Sequence, residues 1–538
     1  MQFLTRVLSM KMASLKSGSM EKCALRYWQQ CAIALLGACV FANANAQSLT
    51  SSTLPTVIQI DANAWGTPFP HFWETVFGSG RAALALRDDY RKDLRLMKSA
   101  TGIGYVRFHA IFHDEVGLYS VDKKGNAHYN FTYIDQIYDG LLAEGVRPFV
   151  ELSFMPQMLA KDPKKIFGFW YKPNISPPQS YARWDEMIRA FTRHLIERYG
   201  IDEVAQWYFE VWNEPNAGFW GGDPYQPTYF ELYDHTARTI KSVSPRLRVG
   251  GPSTAQAAWV ADFIDHCQKN AVPVDFVSSH VYANDDSQDV FRSTESIPRD
   301  QMVCRAVRKN YDEIKASSMP HLPLIYSEYN ASYANEPNVT DTIFMGPWLA
   351  STISQCDGLT QAMSHWTFSD VFEENGVVKT PFYGGYGIIA EHGIPKPAYQ
   401  AYALLHRLGN VRLPAAADSA LITKRDDGTW VIALWNYAPP GGSGQTYTPP
   451  AEAGPLKSFE LRFTGAQLST AKIWRVDQDH GNVIKAYDAM GRPAFPDRAQ
   501  IVMLRAASQL AQPEMASLDH GSLTLVVPAL GLAVVEIH

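Results

Sequence analysis

Eight apolar runs alternate with amphipathic segments between about residues 66 and 405, and this alternation predicts an α/β protein built on a (β/α)8 TIM barrel. The runs are almost continuously apolar, as strands covered on both faces are. After about residue 405 the texture changes to short strand-like runs separated by Pro-Gly turns, which predicts a C-terminal antiparallel β-sandwich. A doubly wound sheet would place a glycine-rich phosphate turn after its first strand. Gly78-Ser79-Gly80-Arg81 is only a faint echo of that turn, and no helix with a following acidic ribose ligand accompanies it.

In order, the barrel strands are expected at 71–78 (HFWETVFG), 104–109 (GYVRFH), 147–154 (RPFVELSF), 207–212 (WYFEVW), 247–251 (LRVGG), 275–282 (DFVSSHVY), 324–329 (LIYSEY) and 362–368 (AMSHWTF). Helices are expected at 90–100, 132–144, 181–199, 227–244, 257–270, 300–316 and 348–356, with Lys and Arg on one side and Leu, Ile and Val on the other. Beyond the barrel, short strands are expected at 420–424, 430–437, 457–464, 471–476, 500–504 and 523–537. A segment at 47–65, with strand potential at 52–60, is expected to join the sandwich. The domains are therefore residues 66–405 (barrel) and 406–538 (sandwich).

Residues 1–46 are read as a cleaved export signal. Basic residues precede a short apolar stretch, and Ala44-x-Ala46 before Gln47 fits a signal-peptidase site. Met20 is an alternative start. Leu36-Gly37-Ala38-Cys39 also resembles a lipoprotein cleavage box, which would leave Cys39 lipidated. The expected location is the periplasm or the exterior, and no other apolar run reaches membrane-spanning length. Cys267, Cys304 and Cys356 would remain after cleavage. Cys267 and Cys304 could pair, and three buried or free thiols is the preferred reading. A net charge of -6 gives no general electrostatic case for nucleic acid or an anionic membrane.

Barrel enzymes carry their chemistry at the C-terminal ends of the strands. Those ends supply His109, Asn213 with Glu214, His280 with Tyr282, Glu328, and Trp366 with Asp370. The set holds two carboxylates, no Ser or Cys nucleophile beside a histidine, and no cluster with the look of metal ligands, so neither a metal nor an organic cofactor is implied. Paired carboxylates are the machinery of glycoside hydrolysis, where one donates a proton to the leaving oxygen and the other attacks or activates water. Glu214 and Glu328 fall on strands four and seven.

"VWNEPN" with "IYSEYN" resembles the retaining glycosidases of clan A. The segments "GSGRAALALRDDY", "YVRFHAIFHDEVGLY", "HVYAND" and "FSDVFEENG…FYGGYGII" are similar to glycoside hydrolase family 39, the family of β-xylosidases and α-L-iduronidases. The resemblance runs in order from about residue 66 to 405. It implies Glu214 as acid/base and Glu328 as nucleophile. It places Asn213 on the sugar 2-hydroxyl, His109 on other hydroxyls, His280 and Tyr282 near the nucleophile with the phenol orienting Glu328, and Trp366 under the sugar. Asp370 and Glu373 are placed on the pocket lining. Glu74 and Glu151 are read as structural, and Glu210 as a supporting partner. "LPLIYSEYN" and "IKASSMPH" resemble bacterial xylosidases, so the expected substrate is a xylooligosaccharide cut from its non-reducing end. The alternatives are another small glycoside (arabinopyranoside, glucoside or iduronide) and, on the same barrel, a non-catalytic carbohydrate-binding protein.

Overall fold

The computed structural model describes residues 54–441, 446–447 and 454–538. The fold lies in one compact unit, Pro55–His538. The proposed leader, its cleavage site and Cys39 lie outside the described residues. Eight parallel strands close a barrel in sequence order: Val76–Gly78, Tyr105–Phe108, Arg147–Glu151, Tyr208–Glu210, Arg248–Thr254, Phe276–Tyr282, Leu324–Asn330 and Ala362–His365. Every expected strand is present; most are trimmed at their ends, while the fifth and seventh run on to Thr254 and Asn330. The largest trim is at the first, where residues 71–75 form a turn instead, closed by Glu74 N–H donating to His71 C=O. The seven expected helices are present, and an eighth, Pro397–Leu405, completes the ring. Helix Tyr181–Tyr199 shows the local logic: Ser180 accepts from Arg183 N–H at its start, and Gly200 at φ 82° ends it where a Cβ would be strained.

Alternate residues of a strand point to one face, and inside the barrel this produces layers. Tyr105, Tyr208 and Phe276, from strands two, four and six, touch one another at ring-centroid distances of 5.4 and 5.2 Å, which is possible only across the interior. With Val76, Phe149, Ile325 and Ala362 they make an apolar floor. Gly250 has no alternative here, since a Cβ would lie 2.4 to 2.7 Å from Phe276 atoms. Two residues further along, the same strands present Arg107, Glu151, Glu210 and Ser327, a buried polar layer. The next inward positions are the strand ends.

The second core lies between a three-stranded sheet (Thr56–Asp61, Lys457–Thr464, Ser522–Val527) and a seven-stranded one running from Thr67–Pro68 to Glu514–Ser517. Ile58, Ile60, Phe459, Leu461, Ile432, Leu434 and Val535 fill it. Thr56–Asp61 pairs parallel with Lys457–Thr464, Ile58 facing Leu461. Two expectations are corrected. Residues 500–504 belong to a helix, Arg498–Ala507, opened by a reciprocal capping box between Asp497 and Gln500. The run at 523–537 is two strands, broken at Pro528, with Leu530 at φ 60°.

The cysteine reading is also corrected. Cys304 bonds Cys356, joining helices Arg299–Ala316 and Met345–Cys356, while Cys267 is buried and free. Closing a loop of sequence separation 52 is worth about 4 kcal/mol in chain-entropy terms. Glu74 sits at the base of the barrel, 2.7 Å from His71 Nδ1 and 2.8 Å from His406 Nδ1. Burial pushes this carboxyl up, but the two imidazoles outweigh it and hold it below its ordinary value. The contact ties the turn before strand one to the end of the eighth helix.

Candidate active site

Strand four ends at Glu210, and the buried residues Val211, Trp212 and Asn213 carry the chain to the rim. Trp212 and Glu214 both take positive φ, 71° and 40°. Non-glycine residues pay roughly 1–3 kcal/mol each for such backbone, and it persists where surroundings over-determine it. Here Glu214 N–H donates to Ser253 C=O at 2.8 Å, and Glu214 C=O accepts from Ala217 N–H at 2.9 Å. Pro215 disfavours right-handed helix at Glu214. The turn that results presents the side chain over the barrel mouth, largely buried at 13% exposure.

Glu328 rises from strand seven. Arg107 Nη1 donates to its Oε1 at 2.6 Å and Tyr282 O–H to its Oε2 at 2.7 Å. Both oxygens thus meet a donor, which fixes the plane of the carboxyl group. Arg107 also donates to Glu210 Oε2 through Nε at 2.6 Å and to Asn213 Oδ1 through Nη2 at 3.0 Å, and it lies 2.8 Å from Glu151 Oε2. Asn213 therefore has its carbonyl engaged below, with its NH2 group left to donate toward the pocket it lines. One carboxylate oxygen of Glu214 lies within 4.8 Å of one of Glu328.

Burial pushes Glu214 up to about 7, against the opposing charges of His109 and Arg107. Burial pushes His280 down to about 4, so its ring is neutral. For His109 burial works downward, but Glu151, at 2.6 Å from Nδ1, and Glu328 raise it to about 9. Glu151 is held below its ordinary value, burial being outweighed by His109 and Arg107. Thus one of the two carboxyls holds its proton near neutral pH and the other is clamped by donors. Two groups here have metal-ligand composition, His109-Glu151-Glu328 and Glu214-His280-Glu328. Both share Glu328, and a cation there would meet the Arg107 guanidinium at the same oxygen.

Of the residues expected at the site, His109, Asn213, Glu214, Tyr282, Glu328 and Trp366 line one cavity. Trp366 is its floor, 3% exposed, and Gly78 makes room for the indole, since a Cβ there would sit 2.3 Å from Trp366 Cε3. His280 lies near the nucleophile as expected, 3.7 Å from Glu328 Oε1, but as a substrate contact it is corrected: it is fully buried beneath Glu214, 3.0 Å from Oε1, and reaches substrate only through that carboxyl. Asp370 is corrected as well. It is buried in an ion pair with Lys396 at 2.7 Å and accepts from Gly387 N–H at 2.7 Å. A Cβ at Gly385 or Gly387 would come within 2.3 Å of Asp370 atoms, which explains two of the three glycines of "FYGGYGII". Glu373 points away from the cavity to Arg81 and Arg87 at 3.2 and 2.5 Å, fastening the last barrel loop to the "GSGR" loop. Its neighbour Glu374 turns inward, 3.7 Å from His109 Nε2, and burial pushes it up to about 8. Phe169, Phe219, Tyr333, Tyr386 and Asp285 also line the cavity. The sequence reading missed all of these, and missed the hub role of Arg107.

A closed (β/α)8 barrel whose mouth holds one proton-bearing and one donor-clamped carboxyl, on strands four and seven, defines a glycoside hydrolase. Comparison with known proteins makes this specific. The sequence model of "Glycosyl hydrolases family 39" matches residues 56–520, and the chain belongs to that family. It is 37% identical over 485 residues to a beta-xylosidase of Geobacillus stearothermophilus, covering 87% of this chain and 93% of the relative. It is 34% identical to a beta-xylosidase of Caldicellulosiruptor saccharolyticus, covering 82% and 90%. The crystal structure of a monomeric beta-xylosidase from Caulobacter crescentus superposes with a TM-score of 0.82 at 35% identity, covering 90% of this chain and 99% of that one.

Proposed function

We propose that this chain is a retaining exo-β-xylosidase that removes xylose from the non-reducing end of short β-1,4-xylooligosaccharides. The carboxylate pair carries the reading. An oxygen-to-oxygen separation within 4.8 Å leaves no space for an attacking water between the sugar and the second carboxylate, which favours double displacement over inversion. Glu328 attacks the anomeric carbon while Glu214 gives its proton to the leaving oxygen. Water then attacks the glycosyl-enzyme, passing a proton back to Glu214. Asn213, Trp366, His109 and Glu374 hold the sugar. Trp170 N–H donates to Glu374 C=O at 2.7 Å, so two loops join as a wall at that end of the cavity, as suits removal of a terminal residue.

The charges of the cavity support a neutral sugar. Among the described residues its lining holds Glu214, Asp285, Asp286, Asp289, Glu328 and Glu374 with His109, and no lysine or arginine. A uronate would find one cationic group among the described lining residues, His109, and that imidazole is already paired with Glu151, so an iduronide is disfavoured. The names of the relatives point to xylose. An aryl β-xyloside is expected to be cleaved roughly tenfold or more faster than the matching β-glucoside, the discrimination one extra substituent supports in a closed pocket. Equal kcat/KM values on the two would overturn the xylose assignment.

The reading includes export, with residues 1–46 as the cleaved leader. The Cys304–Cys356 bond supports it, because disulfides persist chiefly in oxidising compartments. Mass spectrometry of the protein recovered from outside the cytoplasm is expected to show an N-terminus at Gln47. A lipid-modified Cys39 would instead place it on a membrane.

A further inference from the structure

Beneath Glu214 runs a chain of buried hydrogen bonds that ends on charge. His280 Nδ1 lies 3.0 Å from Glu214 Oε1, and His280 Nε2 lies 3.1 Å from Ser327 Oγ. Ser327 Oγ in turn lies 2.6 Å from Glu210 Oε1, whose other oxygen receives Arg107 Nε at 2.6 Å. The directions can be worked out from the far end. A carboxylate bonded to a guanidinium accepts and does not donate, so the single Ser327 proton points at Glu210. Its oxygen is then free only to accept, and the proton between it and His280 must sit on Nε2. A neutral imidazole carries one proton. Nδ1 is therefore a bare lone pair, facing Glu214.

We propose that Ser327, held by Glu210, is a positioning residue that fixes His280 as the Nε2–H tautomer and thereby denies the ionised form of Glu214 a hydrogen-bond donor. The inference rests on the reading of Glu214 as the acid/base. In the free enzyme the Glu214 proton rests on Oε1, shared with the Nδ1 lone pair. To react, the carboxyl turns about its Cγ–Cδ bond, a broad torsion, and hands the proton to the glycosidic oxygen as the glycosidic bond breaks. The carboxylate left behind faces a lone pair rather than an N–H, so it takes a proton from the incoming water readily. The opposite tautomer would donate Nδ1–H to Glu214, stabilise its charge and weaken it as an acid.

Other groups face the same pair. His109 and Arg107 from strand two favour the charged form of Glu214, while Glu151 from strand three opposes it. Asp285, Tyr282 and Glu374 lie within its field. Glu328 Oε1 is 3.7 Å from His280 Nδ1, and Ser253 Oγ, which accepts from Arg107 Nη2, is 3.3 Å from Nε2. Glu328 lies beyond hydrogen-bond reach of Nδ1, and the Ser253 oxygen, which accepts from Arg107, has a second lone pair that can accept from Nε2–H as the Ser327 oxygen does.

Nitrogen-15 NMR of histidine-labelled protein separates protonated from bare imidazole nitrogens, with His280 assigned by its loss in His280→Gln. The expected spectrum has a protonated Nε2 and a bare Nδ1. Ser327→Ala releases the constraint. The alkaline limb of kcat/KM for phenyl β-xyloside, a substrate that needs the acid, is then expected to move about one unit toward lower pH, while the acid limb stays. Ser327→Thr, which keeps the hydroxyl, restores the wild-type limb. A protonated Nδ1 in the wild type overturns the proposal, as does an alkaline limb that does not move in Ser327→Ala. If Ser327→Ala fails to fold, the wild-type spectrum alone decides. If the protein cleaves no xyloside, the proposed function falls while the spectrum still reports the tautomer.

Discussion

Glu328→Ala is expected to abolish turnover of every glycoside, whatever its leaving group. Without that carboxylate no glycosyl-enzyme forms, and removing a nucleophile costs on the order of 10⁵–10⁶-fold in kcat. The variant should still fold. Its loss does leave Arg107 Nη1 and the Tyr282 hydroxyl without their partner, but Arg107 keeps Glu210 and Glu151. Azide fits the space the side chain vacates and can attack the anomeric carbon from the face the carboxylate used, so a reactive aryl β-xyloside is expected to yield the α-xylosyl azide. Residual hydrolysis of dinitrophenyl β-xyloside within tenfold of the wild type would remove Glu328 from the nucleophile's role.

The barrel was legible because its strands are buried on both faces and read as uninterrupted apolar runs. The carboxyl pair was legible because Asn213-Glu214-Pro215 and Glu328 stand at strand ends. The supporting layer was not. Arg107 reads as one charged residue in "YVRFH", and only closure of the barrel brings it to Glu210 and Glu328, 103 and 221 residues away in sequence. Glu373 and Glu374 are chemically the same, and which one turns inward depends on a backbone placed at φ 61° for Glu373 and on the partners Arg81 and Arg87. Asp370 was misplaced for a related reason. An acid just past a strand end looks exposed to substrate until Lys396, from the start of the eighth helix, is found beneath it. The helix at 498–507 did carry a local signal, Asp497 with Gln500, but the apolar run Ile501 to Leu504 has no period long enough to separate helix from strand. Pairing of Cys304 with Cys356 needed the packing of two helices side by side, which spacing alone does not give.

Glu214→Ala is expected to separate the two steps of the reaction by their need for a proton. Cleavage of xylobiose releases a sugar alkoxide unless a proton arrives with bond breaking, so its rate should fall by about 10²–10⁴-fold, the usual contribution of a general acid. Dinitrophenolate leaves unaided. With that substrate the intermediate on Glu328 should still form rapidly, seen as a burst of dinitrophenol, and turnover should then stall because no base remains to activate water. Azide needs no base. It should restore turnover and add from the face opposite Glu328, giving the β-xylosyl azide, the anomer opposite to that from Glu328→Ala. The geometry permits this cleanly, since truncation at 214 removes His280's partner at Nδ1 but leaves the Arg107, Tyr282 and Glu328 cluster bonded as before. An α-azide from Glu214→Ala would exchange the roles of the two glutamates, and loss of the burst would show that Glu214 acts before the leaving group departs in some way other than proton donation.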